Sequence, residues 1–569
     1  MQQGVPAAGR VAASGPMTRT MEPSSQRRGP GGGAGLSALN RVAAPGGAVR
    51  RVIGSVWIWP MVVMAALGWH GIGGPIMWRD ELATWSAASR SVPQLWHMVH
   101  HIDAVTGAYY FGMHFWIALF GDSPTAMRVP SLIAMTGAAG LVALIGRRLG
   151  GYTAGLSGGL VFALIPSISR FGQEARPYAV ATFFAALATL LLLRALERPG
   201  WRRWAPYALA LAAAGAANLL TMAVIAAHAI VTALYLWRPP AGSGRIRRDV
   251  AAGFCLSALV AVILDSPIIV EGHKQRFEQI GTLQSPPLSQ ITGLNGSLGI
   301  WPELFCSTGV ALAVILLAVA SLASRSRRAS VGCLAVAFVP IAVLWAASQG
   351  SSSYWLARYL LFTVPAWAAA AGLGIAEVAR LAARLRGRWL AAVPVVAGVV
   401  LIAVVGWPDQ QAIRQAEAHN WWSYPNPVGD YPVDYAGAAN VIAAHERPGD
   451  AIVFQVNDDN HWMVDNGVDY YLRLGHRPVP AVAFQARTQA QADGFQPVEC
   501  ADPAQCLGTE PRLWLVYINH LVPGGRYRDP YAGIRPGQAA VLSARHFTIA
   551  RVYEVDGITL ALLVRGVSP

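Results

Sequence analysis

The residues best equipped for chemistry fall in five short polar clusters set between long apolar runs. Arg79-Asp80-Glu81 follows the first run and joins two adjacent carboxylates to a guanidinium. Carboxylates at a membrane boundary are costly unless solvated, paired or working. Gln173-Glu174-Ala175-Arg176-Pro177-Tyr178 separates two further runs, Glu271-Gly272-His273-Lys274-Gln275-Arg276 follows another, and Arg358-Tyr359 opens one more. His100, His101 and Asp103 form the fifth cluster. Two kinds of chemistry are open to such groups. A partly desolvated carboxylate can take the proton of a hydroxyl nucleophile, and arginines at headgroup level can stabilise a phosphate leaving group. Each cluster also has a purely structural reading. Asp80 and Glu81 could cap an interfacial helix, Arg176 and Tyr178 could anchor a helix start through Pro177, and Arg358 could snorkel. His100, His101 and Asp103 match no specific zinc spacing. Convergence on one surface is what separates a site from unrelated helix ends.

The elements that must position these clusters are membrane spans. A chain of 569 residues that is 54% hydrophobic and 13% charged has the composition of a polytopic membrane protein, not of a soluble globule. Apolar runs able to cross about 30 Å of hydrocarbon lie at 52–74, 127–147, 152–171, 177–196, 204–218, 220–237, 249–270, 302–323, 329–347, 358–380 and 388–407. The count is about eleven spans. The net charge of +14 is carried almost entirely by arginine, Lys274 being the only lysine. These arginines cluster between apolar runs, which is a topology signal and excludes a nucleic-acid footprint.

The arginines also decide the fate of Tyr109 to Phe120, a run too short for a comfortable span. If it lies on the outer face, then Arg147/Arg148, Arg194 to Arg203, Arg238 to Arg248, Arg325 to Arg328 and Arg380 to Arg388 all fall on the cytoplasmic side. Residues 75–126 then form one long external loop with interfacial helices, anchored by Trp78, Trp85, Trp96, Tyr109, Tyr110 and Trp116. The other polar clusters reach the same outer face. Residues 1–51 read as a disordered basic cytoplasmic arm, and the first apolar run begins too late for a cleavable signal.

Residues 408–569 are polar and long enough for a separate extracytoplasmic α/β domain. Asp434 to His445 has helical spacing, and Ala451 to Val456 and Leu513 to Ile518 read as strands. Phe547 to Val555 and Ile558 to Val564 flank the hairpin signal Asp556-Gly557. Cys500 and Cys506 suit a disulfide in an oxidising compartment, whereas Cys255, Cys306 and Cys333 lie in apolar runs and read as inert packing.

The ordered series Trp78-Arg79-Asp80-Glu81-Leu82-Ala83, Tyr109-Tyr110 through Trp116 to Leu119-Phe120-Gly121, Arg128-Val129-Pro130-Ser131 and Gln173 to Ala179 resembles the GT-C glycosyltransferases of the protein mannosyltransferase and aminoarabinose transferase type (family 39). The resemblance covers about residues 52–240, with a fainter match at Arg358-Tyr359-Leu360. The chain departs from that family where a His-Pro-Pro or Lys-Pro element is usual, carrying His101-Ile102-Asp103-Ala104 instead.

The resemblance implies an all-α polytopic GT-C fold with an extracytoplasmic α/β domain. It implies transfer of a sugar, mannose favoured, from a polyprenyl-phosphate donor to an acceptor hydroxyl on the outer face, with inversion. Asp80 takes the position of the family's catalytic carboxylate as general base, with Glu81 in an orienting role. Arg176, Tyr178, Arg358, Lys274, Arg276 and Arg128 are expected at the donor phosphate. His101, Asp103, Tyr109, Tyr110, Gln173, Glu174 and Tyr359 are expected to line the donor and acceptor pocket. No cofactor is required; a divalent metal is admitted, with His273 as its candidate ligand. The expected partners are the lipid-linked donor, a protein, lipid or glycan acceptor and the bilayer, with no nucleic acid. The expected location is the cell membrane, with the N-terminus cytoplasmic, and the Ala- and Arg-rich composition points to a high-GC bacterium. Two alternatives stand beside this reading. A transporter or flippase of lipid-linked sugar predicts ionisable residues deep in the spans and internal repeats, and a glycan-binding membrane protein would rest on tail residues such as Trp421, Trp422, Asp458, Asp459 and Trp462.

Overall fold

Backbone in hydrocarbon must satisfy its own hydrogen bonds, so the apolar runs become helices. The computed structural model describes residues 54–237, 244–294, 298–415, 433–455, 463–518, 531 and 534–566. The basic arm and the tail residues Trp421, Trp422, Asp458, Asp459 and Trp462 lie outside them. Among the described residues, seven helices are long and apolar enough to cross a membrane, fewer than the runs counted from the sequence. The difference has two sources. Helix α5 (Pro124–Leu164) holds two of the expected spans, joined at Gly151, whose φ of 85° is reserved largely for glycine. Three others are shorter than a span: α1 (Ile58–Trp69), α8 (Trp201–Ala217) and the Thr308–Ala323 segment.

The short α6 (Pro166–Gly172) follows α5, and the remaining membrane helices are α7 (Tyr178–Glu197), α9 (Val224–Trp237), α10 (Gly244–Ile280), α11 (Thr308–Ala320), α12 (Arg327–Ala347), α13 (Val364–Arg386) and α14 (Ala392–Ala412). Small residues let them approach closely. A Cβ on Gly372 of α13 would stand 2.4 Å from the Ala154 carbonyl oxygen of α5. Helix α10 corrects one expectation: residues 271–280, which follow the apolar run expected to end at 270, continue the span as helix. Nothing there breaks the helix, and Glu271 and Lys274 pair at i,i+3 on its exposed side.

At one end of the bundle the chain between α1 and α5 forms α2 (Arg79–Ala88), α3 (Val92–Val99) and α4 (Gly107–Phe120). Helix α4 is the Tyr109 to Phe120 run, and at 14 residues it is too short to span. The α/β region covers this end. Its sheet has the order β2-β1-β5-β7-β6, with strands β1 (Ala451–Phe454), β2 (Ala481–Val482), β5 (Arg512–Ile518), β6 (Phe547–Val555) and β7 (Ile558–Arg565). Strand β1 is parallel to both β2 and β5, and β5, β7 and β6 run antiparallel. Gly557, at φ 75°, turns the β6–β7 hairpin expected at Asp556-Gly557. Strands β3 (Gln485–Arg487) and β4 (Val498–Glu499) form a separate pair, beside the Cys500–Cys506 disulfide. Cys306 and Cys333 are buried as expected, whereas Cys255 is exposed along α10.

The α/β region and the α2–α4 segment share one hydrophobic core. Met77, Leu82, Trp85, Tyr110 and Met127 pack in the same cluster as Tyr435, Val468, Tyr470 and Trp514. Helices α15 (Tyr435–His445) and α16 (Val464–Leu474) supply part of that contact. Tyr470 donates to the Asp122 carbonyl at 2.9 Å, and the Met77 N–H donates to the Tyr471 hydroxyl at 2.9 Å. Arg90, at the end of α2, donates to the carbonyls of Gln489, Ala492 and Gly494.

Candidate active site

A buried ion pair sets the frame. Arg128, near the start of α5, grips Glu81 with Nε at 2.8 Å and Nη2 at 2.7 Å, and both side chains are fully buried. Arg128 also donates to the carbonyls of Ile72 and Pro75. Glu81 Oε1 also accepts from the Ala175 N–H at 2.8 Å, and Oε2 from the Trp78 N–H at 3.5 Å. One carboxylate therefore ties together the first turn of α2, the start of α5 and the 173–177 turn. Charges buried this deeply survive only when hydrogen-bonded on all sides, and here they are. Arg128, expected at the donor phosphate, is instead walled into this frame, because its donors are spent on protein oxygens. Glu81 likewise faces the frame and holds the α2 start in place. Gln173 has a similar duty, donating to the carbonyls of Gly68 and His70, where α1 ends with unpaired acceptors.

Asp80, one residue before Glu81, points the other way, into a ring of guanidiniums. Arg79 Nε lies 3.3 Å from Oδ1, and Arg358 Nη2 and Arg176 Nε lie 3.6 Å and 4.0 Å from Oδ2. The three arginines come from α2, from the turn Ala357–Thr363 that opens α13, and from the 173–177 turn. All four side chains are 10–15% exposed, close to but not sealed from solvent. The first turn of α2 favours an anion at Asp80. Aromatic rings back the cations: Arg358 stands 5.5 Å from the Trp78 ring and 5.8 Å from Tyr359, and Arg176 stands 6.0 Å from Tyr178.

Behind Arg176 runs a second row. Arg176 Nη1 donates to the Tyr110 hydroxyl at 3.1 Å, and Tyr110 donates in turn to Asp103 through a short hydrogen bond. Asp103 adopts φ 56°, a left-handed conformation unusual for a residue other than glycine. Its other oxygen accepts from Thr106 at 2.9 Å. Burial, only partly offset by Arg176, raises the Asp103 carboxyl above its ordinary range. Burial likewise raises the phenols of Tyr109 and Tyr110. Glu174 is fully buried with no hydrogen-bond partner on either oxygen among the described residues. Desolvation pushes its carboxyl up to about 7, against the pull of Arg170.

Not every expected residue reaches this centre. His101 is exposed and bonds the His97 carbonyl. Lys274 pairs with Glu271 on the outer side of α10, Arg276 bonds the His273 carbonyl, and His273 itself is exposed. The helical continuation explains all three, since it turns their side of α10 away from α2–α4. The residue of that helix that does face inward is Gln275, buried, accepting from the Ala104 N–H at 2.8 Å and donating to the Val99 carbonyl at 3.1 Å. It props the 99–104 turn that carries Asp103. In the sequence Gln275 is masked by its charged neighbours Lys274 and Arg276, and the mark of a close approach is Gly272, one turn earlier, which in the structure lies against Val105. Arg79 was also missed as a member of the ring. Among the described residues, no group of three or more His, Cys, Asp or Glu side chains is placed to hold a metal.

Residues 108–270 match the family model for dolichyl-phosphate-mannose-protein mannosyltransferases. That window contains Tyr109, Tyr110, Arg128 and the 173–178 cluster but begins after Asp80. No curated protein matches the sequence significantly. Among solved structures the chain is similar to ArnT from Cupriavidus metallidurans in the apo state, at 14% identity and a TM-score of 0.56 over 89% of this chain and 97% of that one. It is also similar to ArnT bound to undecaprenyl phosphate, at 13% identity and a TM-score of 0.51 over 91% and 98%. The apo oligosaccharyltransferase of Archaeoglobus fulgidus aligns at 12% identity and a TM-score of 0.49 over 89% and 74%. At 14% and 13% identity the likeness to the two ArnT structures is one of fold.

Proposed function

We propose that this chain, which has the fold of the GT-C glycosyltransferase superfamily, transfers a sugar from a polyprenyl-phosphate donor to an acceptor hydroxyl. The observation that carries the reading is the single carboxylate of Asp80 inside three guanidiniums at 3.3, 3.6 and 4.0 Å. Three cations around one anion leave a net positive site at the membrane end of the bundle, suited to a phosphate that grows more negative as it departs. Asp80 then serves as general base. It takes the acceptor proton while the hydroxyl oxygen attacks the anomeric carbon, and the glycosidic electron pair leaves onto the phosphate oxygen. Attack opposite the leaving group inverts that carbon. Arg176 and Arg358 bind the phosphate, and Tyr178 and Tyr359 back them.

Mannose is the favoured sugar, in keeping with the family model that matches residues 108–270, and an arabinose-type pentose is the second choice. The acceptor is a protein, lipid or cell-envelope glycan. The arginine-bearing turns lie one helix away from the site-bearing turns, and the positive-inside bias supports a site on the outer face with residues 147–148 and 194–203 in the cytoplasm. Residues 408–569 are the extracytoplasmic domain over the site, and no metal is required. The test is direct: purified protein in nanodiscs, supplied with undecaprenyl-phosphate-linked mannose or pentose and an envelope extract, should release undecaprenyl phosphate. Absence of release from every such donor would sink the proposal.

A further inference from the structure

The guanidiniums that a lipid phosphate requires are the ones that already hold Asp80. We propose that Asp80 is also the internal counter-ion of the phosphate site, so that a donor phosphate arriving on Arg176 and Arg358 displaces the carboxylate and thereby frees it to act as the base. The inference rests on the polyprenyl-phosphate reading given above.

Two neighbouring carboxylates make the argument by contrast. Glu81 is closed on Arg128 at 2.7 and 2.8 Å, the lengths of strong charge-assisted hydrogen bonds. Asp80 meets Arg358 and Arg176 at 3.6 and 4.0 Å, both on the same oxygen Oδ2. The first pair is saturated and fully buried, whereas the second is loose and remains within reach of solvent. Arg176 also keeps a buried Nε–H that makes no hydrogen bond among the described residues. A phosphate oxygen offers that donor a better acceptor than a shared carboxylate oxygen 4.0 Å away. The exchange therefore trades two weak contacts for stronger ones.

The exchange has a chemical consequence. A carboxylate neutralised by guanidiniums is a poor base, and one set beside a phosphate anion is a better one. Base strength thus rises only once the donor is in place, so that a hydroxyl or a water is not activated without it. The proton still passes from the acceptor hydroxyl to Asp80, and the leaving electron pair still ends on the phosphate that Arg176 and Arg358 have taken over.

The test measures binding of undecaprenyl phosphate, as probe, to the purified full-length protein in nanodiscs. If Asp80 is a competing counter-ion, Asp80→Asn binds the probe about tenfold more tightly than wild type, and Asp80→Glu, which keeps the charge, stays within about threefold of it. Arg358→Gln weakens binding about tenfold or more. Equal or weaker binding by Asp80→Asn, with Arg358→Gln still impaired, overturns the counter-ion role and leaves the phosphate site standing. No binding by wild type and Asp80→Asn alike removes both the inference and the polyprenyl-phosphate reading beneath it.

Discussion

Asp80 and Glu81 are adjacent in sequence and opposite in duty, and only their surroundings separate them. The sequence made both legible as costly carboxylates at a membrane boundary. Which of the two was structural could not be read, because the answer lies with Arg128, 47 residues along the chain from Glu81. Breaking one half of a buried pair leaves an uncompensated charge, so Glu81→Gln should cost about 3–5 kcal/mol. A thermal shift of the purified variant checks this; a melting point equal to wild type would contradict the structural role. Glu174 gives a pH signature. Its folded-state value of about 7 exceeds the ordinary 4.5, so the folded state holds the proton more tightly than the unfolded chain. That contribution favours folding at low pH and is lost as pH rises from about 4.5 to about 7, with a penalty of about 3 kcal/mol above that window. Glu174→Gln should therefore flatten the pH dependence of melting in that window and stabilise the protein at pH 8. An unchanged slope would show that the carboxyl is not desolvated.

The elements were legible to the degree that hydrophobic period and breakers define them. The β6–β7 hairpin, helix α15 and the short helix α4 sit where composition and turn residues place them. What escaped was continuity. Helix α10 runs on to Ile280 with no loop after residue 270, and that alone moves Lys274, Arg276 and His273 away from the site while bringing Gln275 to it. The turn at Gly151 was legible by contrast, since the runs 127–147 and 152–171 leave it between them and glycine tolerates its φ of 85°. The α3–α4 connection matters most for function, since its left-handed Asp103 and its Tyr110 brace Arg176 from behind. A hydrogen bond to a charged group is worth about 1.5–3 kcal/mol. Tyr110→Phe should raise the KM for the lipid-linked donor about tenfold while leaving the KM for the acceptor near wild type. A change confined to acceptor KM would contradict the bracing role.

At the scale of the molecule, the membrane bundle supplies the cations and the α/β region closes over them. The sequence separated these two parts by composition but gave no sign of how tightly they join, since the contacts are made by residues hundreds of positions apart. Trp85 against Tyr470 at 5.1 Å, Tyr110 against Phe495 at 6.4 Å and Arg90 on three carbonyls of the 489–494 turn make that junction part of the site's wall. Tyr110 thus touches the α/β region on one side and Arg176 on the other, so the fold couples the cover to the ring of arginines. The junction leaves Asp80 facing the ring of arginines, and the whole account depends on what that carboxylate does. The most direct measurement is release of undecaprenyl phosphate from an undecaprenyl-phosphate-linked sugar by wild type and Asp80→Asn, both purified in nanodiscs. The account predicts that wild type turns the donor over and that Asp80→Asn, folded and able to bind undecaprenyl phosphate, loses about a thousandfold or more in kcat. Turnover by Asp80→Asn at the wild-type rate would contradict it.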